Sequence, residues 1–452
     1  MTTPPFASSP DGPDALQPLL NTVLDALRNG GRARGGPLPA GGPDAVTARI
    51  TAAIGDVLPD KGDPNALHTL VHALAKDSTD PAHPLCAAHL HCPPLTVATA
   101  ADLAASALNP SLDSWDQAPA ASTLETIVSR KLAHEIGLTD ALVTTGGTES
   151  NQLAVLLARE TQGKNVRLIC GTNAHHSLPR AAWLLGLPDP VIIPTPNGTL
   201  DPTALHHALT HHPHPLLVAA TAGTTDAGLI DPLPEIARLC TTHGTRLHID
   251  AAYGGPLVFS EHHRHKLTGL ETAHTVTLDL HKLGWQPVAA GLLALAHPHD
   301  LTTLHHHTDY LNADDDTEAG LPDLLHRSLR TTRRPDILKI AVTLKTLGRT
   351  GLATLIDQVC AHARALAALL HDHPGFELHD HPTISTVLFR PTNTTDTTVA
   401  HIRRHLLHQG RAVLGRAHLD NRLWLKATLL NPHTHPDELA HLLTLVEGTT
   451  PG

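Results

Sequence analysis

Residues 216–250 read LLVAATAGTTDAGLIDPLPEIARLCTTHGTRLHID, and this stretch predicts the fold class. Two strand-like runs, Leu216–Thr221 and Arg246–Asp250, flank a helical segment that we expect to begin with an N-cap at Asp231 and to end near Gly244. A buried strand, a helix and another buried strand are typical of a right-handed βαβ unit in a parallel sheet. The sequence therefore predicts an α/β protein.

The same alternation of strand and helix signals continues on both sides of this unit. Short apolar runs at Val166–Cys170 and Val191–Pro194 predict further strands, and so does Thr275–Leu278. After about residue 330 the pattern changes to long helices and short strands, which indicates a smaller α+β domain. We expect four parts, namely a mobile tail rich in Pro and Gly (1–45), a helical segment (46–95), a large α/β domain (96–335) and a small α+β domain (336–452).

The composition excludes several classes of protein. The 452 residues include 32 Lys plus Arg and 43 Asp plus Glu, so the formal charge is −11 with histidine neutral. An acidic chain without a basic run binds a phosphate backbone poorly, so we expect no nucleic-acid partner. No apolar stretch approaches the ~18 residues of a membrane span, so we expect no membrane partner either. Five cysteines at irregular spacing suit a reducing cytoplasm, which is the localisation that we expect.

Histidine is unusually frequent, and many of the 38 histidines lie in runs such as His305–His307. Zinc sites need ligands at set spacings, often with cysteines or carboxylates among them. The histidine runs lie in polar stretches beside Pro and Thr and share no spacing. We therefore interpret them as surface histidines and expect no metal site.

Three short motifs place reactive groups at or near the ends of predicted strands. Lys282 ends the motif DLHK (279–282), and a lysine there can bond covalently to an aldehyde cofactor. Asp250 ends a predicted parallel strand, where a carboxylate can pair with a protonated pyridine nitrogen. The motif TGGTES (145–150) precedes a helix, whose free N–H groups suit a phosphate. Each motif alone has an ordinary structural explanation, but together and in this order they indicate pyridoxal phosphate.

The sequence resembles the group II pyridoxal-phosphate-dependent amino-acid decarboxylases, which have fold type I. The resemblance covers roughly residues 80–450. The motifs that carry it include LDSWDQAPAASTLE (112–125), TTGGTESNQLAVLLARE (144–160), NAHHSLPRAAWLLG (173–186), RLHIDAAYGG (246–255), TVTLDLHKLGWQPVAAG (275–291) and HTDYLNADDD (307–316). It implies a mostly parallel seven-stranded sheet in the large domain and a homodimer with active sites at the subunit interface.

The resemblance also implies a role for each matching residue. It assigns Lys282 to covalent attachment of the cofactor and Asp250 to the ring nitrogen. Tyr310, on a mobile lid, would return a proton to the carbon that loses carbon dioxide. The remaining cofactor contacts are His175 and Ala252 on the two ring faces, Thr225 near the ring hydroxyl, and Gly147, Thr148 and His281 at the phosphate, joined by Thr332 of the neighbouring subunit. One departure is Asp279, where animal aromatic decarboxylases use Asn near the phosphate.

The resemblance specifies the reaction and allows more than one class of substrate. The stretches HLHCP (89–93) and LDSWDQ (112–117) are similar to the branch that acts on 2,4-diaminobutyrate, ornithine or lysine. If the substrate is one of these diamino acids, Asp113 of the neighbouring subunit would face its cationic side-chain amine. Because Asp113 could instead form only a cap or a salt bridge, an aromatic amino acid remains the alternative substrate.

Two other outcomes of the same fold are less favoured. Some relatives replace the lid tyrosine by phenylalanine and consume oxygen to make an aldehyde, whereas this chain has both Tyr310 and His175. A binding or scaffold protein that has lost catalysis would not need an intact Lys282 and Asp250. We therefore expect simple decarboxylation of an L-amino acid to the amine and carbon dioxide.

Overall fold

The computed structural model describes residues 4–308 and 310–450. By its internal contacts the chain divides into two units. The large unit comprises Pro94–Ala361 and Pro382–Ser385. The terminal unit comprises the chain up to Pro93, His362–His381, and the chain from Thr386 onward.

The described residues form fourteen α-helices and twelve strands. The helices are α1 (Gly12–Arg34), α2 (Gly42–Ile54), α3 (Ala66–Asp77), α4 (Thr96–Leu108), α5 (Pro119–Glu135), α6 (Gly147–Gln162), α7 (Ser177–Leu184), α8 (Pro202–His211), α9 (Leu233–Thr242), α10 (Leu280–Leu283), α11 (Asp314–Glu318), α12 (Ile337–Asp372), α13 (Asp396–His408) and α14 (Pro436–Glu447). The strands are β1 (Cys86–Ala87), β2 (Asp140–Thr144), β3 (Arg167–Gly171), β4 (Val191–Ile193), β5 (Leu216–Thr221), β6 (Arg246–Asp250), β7 (Thr275–Asp279), β8 (Gly291–Leu295), β9 (Phe376–Leu378), β10 (Thr386–Pro391), β11 (Val413–Leu419) and β12 (Arg422–Thr428).

The large unit is built on a seven-stranded sheet with the order β2-β8-β7-β6-β5-β3-β4. The pairs β3–β4, β3–β5, β5–β6 and β6–β7 are parallel, and only β8 runs against its neighbours β7 and β2. The register aligns the strand ends, since Thr221 pairs with Asp250 and Asp250 with Thr277. The prediction of a mostly parallel seven-stranded sheet is confirmed.

Helices cover this sheet because its central strands are buried on both faces. Every residue of β5 and β6 is buried, although only β5 is an apolar run and β6 alternates polar and apolar residues. Apolar side chains of α6 and α7 pack with β3 and β5 in one cluster, which includes Val155, Leu178 and Leu217. The helix α9 begins at Leu233 rather than after an N-cap at Asp231, because the Asp231 carboxylate instead accepts hydrogen bonds from the N–H groups of Leu200 and Thr221.

The terminal unit has its own sheet and its own core. Its five strands follow the order β1-β11-β12-β10-β9, in which β1 is parallel to β11 and the other pairs are antiparallel. Apolar residues of α13 and α14 fill the core with side chains from the sheet, including Phe389, Ile402 and Leu442. This arrangement agrees with the α+β pattern that the sequence predicts after residue 336, with two short strands, β1 and β9, added.

The N-terminal segment differs from its prediction. The expected tail with one short helix contains instead the 23-residue helix α1, followed by the start of α2 within residues 1–45. A side chain at Gly30 would place its Cβ 2.5 Å from the carbonyl oxygen of His72, so this glycine allows α1 to approach α3 closely. Gly30, in the segment predicted to be a mobile tail, therefore serves a contact between two helices.

The predicted boundary at residues 335 and 336 is also displaced. The first part of α12, up to Ala361, belongs to the large unit. The reason is visible at Lys339, whose amine is fully buried and lies 3.1 Å from Asp102 and 3.0 Å from Asp336, both carboxylates of the large unit. The pattern of apolar residues predicted the helix but not this buried ion pair.

The helix α12 is long and apolar enough to cross a membrane by length and composition alone. Its conformation is interrupted at Gly348, which has φ 61° and ψ −175°. Ile340, Ile356 and Leu366 on this helix are completely or almost completely buried in the protein. These features are those of a core helix.

Candidate active site

The candidate site lies at the carboxyl ends of strands in the large unit. Asp250 is the last residue of β6, Asp279 is the last residue of β7, and Thr144 ends β2 just before α6 begins at Gly147. The strands β2 and β7 run in the same direction because β8 is antiparallel to both, and β6 is parallel to β7. The strands β2, β6 and β7 therefore end at the same edge of the sheet. Open α/β sheets bind ligands at this edge.

The Asp250 carboxylate is held by hydrogen bonds to each oxygen. Oδ2 accepts from the side-chain amide of Asn151 at 2.7 Å, and Oδ1 accepts from the backbone N–H of Ala252 at 3.1 Å. Asn151 lies one turn after Gly147 in α6, so the helix that begins at the glycines also reaches Asp250. Asp250 is 5% exposed, which leaves a fixed and nearly buried negative charge at the strand end.

A second set of buried side chains fixes Asn151 itself. The Asn151 Oδ1 accepts from the Thr277 hydroxyl at 2.8 Å and lies 3.0 Å from His248 Nε2. Burial holds the pKa of His248 well below its ordinary value, so the ring is neutral near pH 7. Its Nδ1 lies 2.9 Å from the Thr275 hydroxyl. This network sets the direction in which the Asn151 amide donates.

His175 connects to the same network from the loop after β3. Its Nδ1 lies 2.7 Å from the hydroxyl of Ser177, which begins α7 and accepts a hydrogen bond from Asn151 at 2.9 Å. The ring is half-buried, and burial lowers its pKa, an effect that the nearby carboxylates Asp250 and Asp279 oppose. His175 is therefore neutral near pH 7 and close to the site carboxylates.

The glycines Gly146 and Gly147 form a narrow cradle at the start of α6. A side chain at Gly146, whose φ is 147°, would place its Cβ 2.9 Å from the His281 ring, and one at Gly147 would place its Cβ 3.1 Å from Asp279 Oδ2. Only glycine leaves room here for another group beside the first backbone N–H of the helix. Thr148, the next residue, is exposed.

Lys282 lies in the short helix α10, directly after β7, and its amine lies beside a carboxylate. The Nζ of Lys282 is 2.8 Å from Asp279 Oδ2, and the Lys282 side chain is 18% exposed. The same oxygen accepts the Gly147 N–H at 3.0 Å and is 3.5 Å from His281 Nε2. Burial lowers the pKa of His281. Lys282, His281 and Gly147, which were predicted separately, thus meet around Asp279.

Ala252 and Thr225 lie on the loops that follow β6 and β5. Ala252 is buried beside Gly147, whose added Cβ would lie 3.1 Å from the Ala252 Cβ. Thr225 is exposed, four residues after the end of β5. Both residues therefore follow the carboxyl ends of central strands, as the sequence predicts.

Three predicted residues, Asp113, Thr332 and Tyr310, are not linked to Lys282 or Asp250 by the contacts described. In the described parts of the chain, none of the three has a hydrogen bond or ion pair with either residue. Tyr310 is 79% exposed and lines a cavity of about 320 Å³ with the segment after Asp113, which begins at Ser114.

A buried ion pair links the segments that carry Asp113 and Thr332. Arg333 donates to both carboxylate oxygens of Glu125 at 2.9 and 3.0 Å, and its guanidinium also reaches the carbonyl of Leu112. The Leu112 N–H in turn donates to the Arg333 carbonyl at 2.9 Å. Asp113 follows Leu112 directly, and its Oδ1 is buried without a hydrogen bond among the described residues. Thr332, which precedes Arg333, is exposed.

The sequence reasoning missed Asn151 and Ser177, which orient Asp250 and His175. One signal was available for Asn151, because an asparagine one turn after a glycine pair at a helix start faces the same side of that helix. Ser177 gave no such signal, since a serine before an apolar helix is an ordinary start residue.

The residues present fit pyridoxal phosphate. The cradle at Gly146 and Gly147 would be filled by any side chain and has a helix N-terminus behind it, which suits a phosphate. The amine of Lys282 suits an aldehyde, and the doubly hydrogen-bonded carboxylate of Asp250 suits a protonated ring nitrogen.

Comparison with known proteins agrees with this geometry. Residues 58–392 match a family described as the pyridoxal-dependent decarboxylase conserved domain. The L-2,4-diaminobutyrate decarboxylase of Rhizobium meliloti (strain 1021) is 39% identical over 81% of this chain and 78% of its own length. The protein of the same name from Acinetobacter baumannii is 32% identical over 85% of this chain and 83% of its own length.

A solved structure agrees as well. The crystal structure of the glutamate decarboxylase domain of diaminobutyrate-pyruvate transaminase and L-2,4-diaminobutyrate decarboxylase from Vibrio parahaemolyticus superposes with a TM-score of 0.86. It is 29% identical and covers 98% of this chain and 97% of the solved chain. The resemblance stated from the motifs is confirmed. The chain belongs to the pyridoxal-dependent decarboxylase family and is a pyridoxal-phosphate-dependent amino-acid decarboxylase.

Proposed function

We propose that this enzyme decarboxylates a basic L-diamino acid, with L-2,4-diaminobutyrate as the first candidate and ornithine and lysine as the next. The observation that carries the proposal is the similarity, over most of both chains, to two L-2,4-diaminobutyrate decarboxylases. A second feature supports it. Asp113, in the stretch LDSWDQ, offers the counter-charge that a side-chain ammonium group needs.

The chain's own residues divide the work of the reaction. Lys282 would bind the cofactor covalently. Asp250, whose carboxylate is held in place by the Asn151 amide, would keep a proton on the ring nitrogen. Gly147, Thr148, His281 and the partner subunit's Thr332 would hold the phosphate. When bound, the cofactor supplies an electron sink for the bond to the leaving carboxylate.

The remaining residues would position the substrate and return a proton. His175, oriented by Ser177, and Ala252 would lie against the two faces of the cofactor ring, with Thr225 near its hydroxyl group. Tyr310 would donate the proton that replaces the lost carboxylate.

We propose further that the active form is a homodimer in the cytoplasm. Support for the dimer comes from Asp113 and Tyr310, which have no hydrogen bond or ion pair with Lys282 among the described residues and would complete the site of a partner. Support for the cytoplasm comes from the five cysteines, whose irregular spacing along the sequence gives no disulfide framework.

A substrate panel tests the proposed activity. Purified full-length protein with pyridoxal phosphate is assayed for carbon dioxide release from diaminobutyrate, ornithine, lysine, tyrosine, tryptophan and glutamate. We expect the highest kcat/KM for one of the three diamino acids. A preference for tyrosine or tryptophan over all of them would refute the substrate proposal and leave the family assignment intact.

Replacing Asp113 by Asn should weaken diamino-acid binding. The ammonium group of the substrate would lose its counter-charge, and we expect KM to rise 10- to 100-fold, which corresponds to ~1.4–2.8 kcal/mol. Activity on tyrosine should not fall in parallel. The matched control is Asp189→Asn, which removes an exposed carboxylate in the loop before β4 and should leave KM unchanged. Equal KM values for wild type and Asp113→Asn would remove Asp113 from substrate recognition.

Replacing Tyr310 by Phe should lower amine production without loss of cofactor binding. A positioned general acid contributes about 10²- to 10⁴-fold, and we expect a loss of about 10²-fold in amine formed. Assays for aldehyde and peroxide in air show whether the product changes. The chain has only one other tyrosine, so Tyr253→Phe is the matched control, and it removes a buried hydroxyl that lies 2.8 Å from the Ser385 hydroxyl and accepts the Ser385 N–H. Amine output equal to that of wild type would exclude Tyr310 from proton transfer.

Mixing subunits tests whether Tyr310 acts on the partner's site. Tyr310→Phe and Lys282→Ala subunits are each nearly inactive, but a mixed dimer would contain one site with both residues intact. We expect activity to return on mixing and exchange of subunits. A mixture that stays inactive despite proven exchange would show that the two residues serve the same chain.

A further inference from the structure

Three groups that the proposed function assigns to the cofactor converge on one carboxylate oxygen, Asp279 Oδ2. It accepts the Gly147 N–H at 3.0 Å, lies 2.8 Å from Lys282 Nζ and lies 3.5 Å from His281 Nε2. The Asp279 side chain is 2% exposed. A buried negative charge therefore engages the donors that a phosphate and an aldehyde need.

The orientation of His281 shows that its Nε2 also faces Asp279 as a donor. The backbone N–H of Ala290 donates to His281 Nδ1 at 3.2 Å, so the proton of the neutral ring lies on Nε2. Since burial favours the neutral ring, His281 supplies a dipole rather than a full positive charge. Lys282 is thus the one full cation in direct contact with Asp279 among the described residues.

We propose that Asp279 restrains cofactor binding by competing with the cofactor for the Gly147 N–H and the Lys282 amine. In the cofactor-free protein the carboxylate satisfies both groups and stabilises the site. When the cofactor binds, the Lys282 ammonium group would condense with the aldehyde and release water and a proton, so Asp279 would lose its ammonium partner while the phosphate would lie near its carboxylate. The inference rests on the proposed roles of Gly147 and Lys282.

The physical cost arises from like charges at low exposure. Two anions that share a partly dehydrated site repel each other more strongly than they do in water, because the surrounding medium screens them less. An uncharged residue of the same shape at position 279 would remove this repulsion. It would also leave the Lys282 amine without its counter-ion in the cofactor-free protein, which destabilises that form.

The test is Asp279→Asn in the full-length protein after removal of the cofactor. Equilibrium dialysis measures the dissociation constant for pyridoxal phosphate, and we expect binding at least tenfold tighter than in wild type. The substitution should lower the dissociation constant for pyridoxal, which lacks the phosphate charge, by a smaller factor. The cofactor-free variant should melt at a lower temperature than the cofactor-free wild type, and added pyridoxal phosphate should raise its melting temperature by more.

The control is Asp140→Asn, which removes another buried, ion-paired carboxylate of the large unit. Asp140 begins β2, at the opposite end of that strand from the cradle, and pairs with Arg327 at 2.7 Å. We expect it to lower the melting temperature with and without cofactor by similar amounts and to leave the dissociation constant unchanged. If Asp279→Asn does not fold, Asp279→Ser, which keeps an oxygen acceptor without the charge, carries the same expectation.

Unchanged or weaker binding of pyridoxal phosphate by the folded variant overturns the inference. An equal decrease in the dissociation constants for pyridoxal and pyridoxal phosphate also overturns it, since the phosphate charge would then have no part. Failure of the proposed function is a different result, namely cofactor attached to a lysine other than Lys282, or no carbon dioxide released from any diamino acid by the wild type.

Discussion

Lys282→Ala should lower kcat by at least about 10⁴-fold, which corresponds to ~5.4 kcal/mol of lost transition-state stabilisation. Alanine has no amine with which to bind the cofactor covalently, and the buried Asp279 carboxylate would lose the cation that lies 2.8 Å from it. The variant should therefore retain pyridoxal phosphate only loosely and lack the visible absorption band of the wild type. The measurements are carbon dioxide release at saturating cofactor and the absorption spectrum after gel filtration.

Borohydride reduction of the wild type identifies the attachment site directly. The pyridoxyl group should appear on the peptide that contains Lys282, and Lys345→Ala, which removes an exposed lysine in α12, should leave labelling and activity unchanged. A label on any other lysine would show that the assignment is wrong.

The sequence predicted the elements whose signal is local. The strand β5 was found from its apolar run, because a parallel strand that is buried on both faces is apolar at successive positions. The sequence missed β1 and β9, which have only two and three residues and take their conformation from the strands they pair with. Short edge strands are specified by partners that are distant in sequence.

Glu125 shows why local patterns mislead. Its spacing from Ser122 predicts a capping box, yet α5 already begins at Pro119, and the Glu125 carboxylate instead binds Arg333, 208 residues away. In the sequence alone, a glutamate near a helix start is equally compatible with a capping box and with an ion pair to a distant residue. The same limitation hid the contact between Lys339 and Asp102.

The positions of several candidate residues could be predicted because strand ends and motifs coincide. Asp250, Lys282 and Gly147 were placed correctly at one edge of the sheet, since each follows or precedes a recognisable element. Their mutual hydrogen bonds were not predictable. Whether Asp279 contacts Lys282 or the Gly147 N–H depends on side-chain directions that the sequence does not contain.

Asp250→Asn should lower kcat by about 10³-fold, or ~4 kcal/mol, while KM changes much less. An amide holds a proton on the ring nitrogen far less well than a carboxylate, and that proton matters most when charge develops in the transition state. The replacement also conflicts with its surroundings. Both Asp250 oxygens accept hydrogen bonds, from Asn151 and from the Ala252 N–H, so the new NH₂ group would face a donor.

The measurement needs to separate chemistry from cofactor loss and from folding. Kinetics at saturating pyridoxal phosphate, with bound cofactor counted after reduction, give kcat per loaded site. Asp300→Asn is the matched control, because Asp300 pairs with Arg246 at the opposite end of the same strand, and it should lower stability but not kcat. If loaded Asp250→Asn turned over like wild type, the carboxylate would have no part in holding the ring proton. Its contacts with Asn151 and Ala252 would then serve the fold alone.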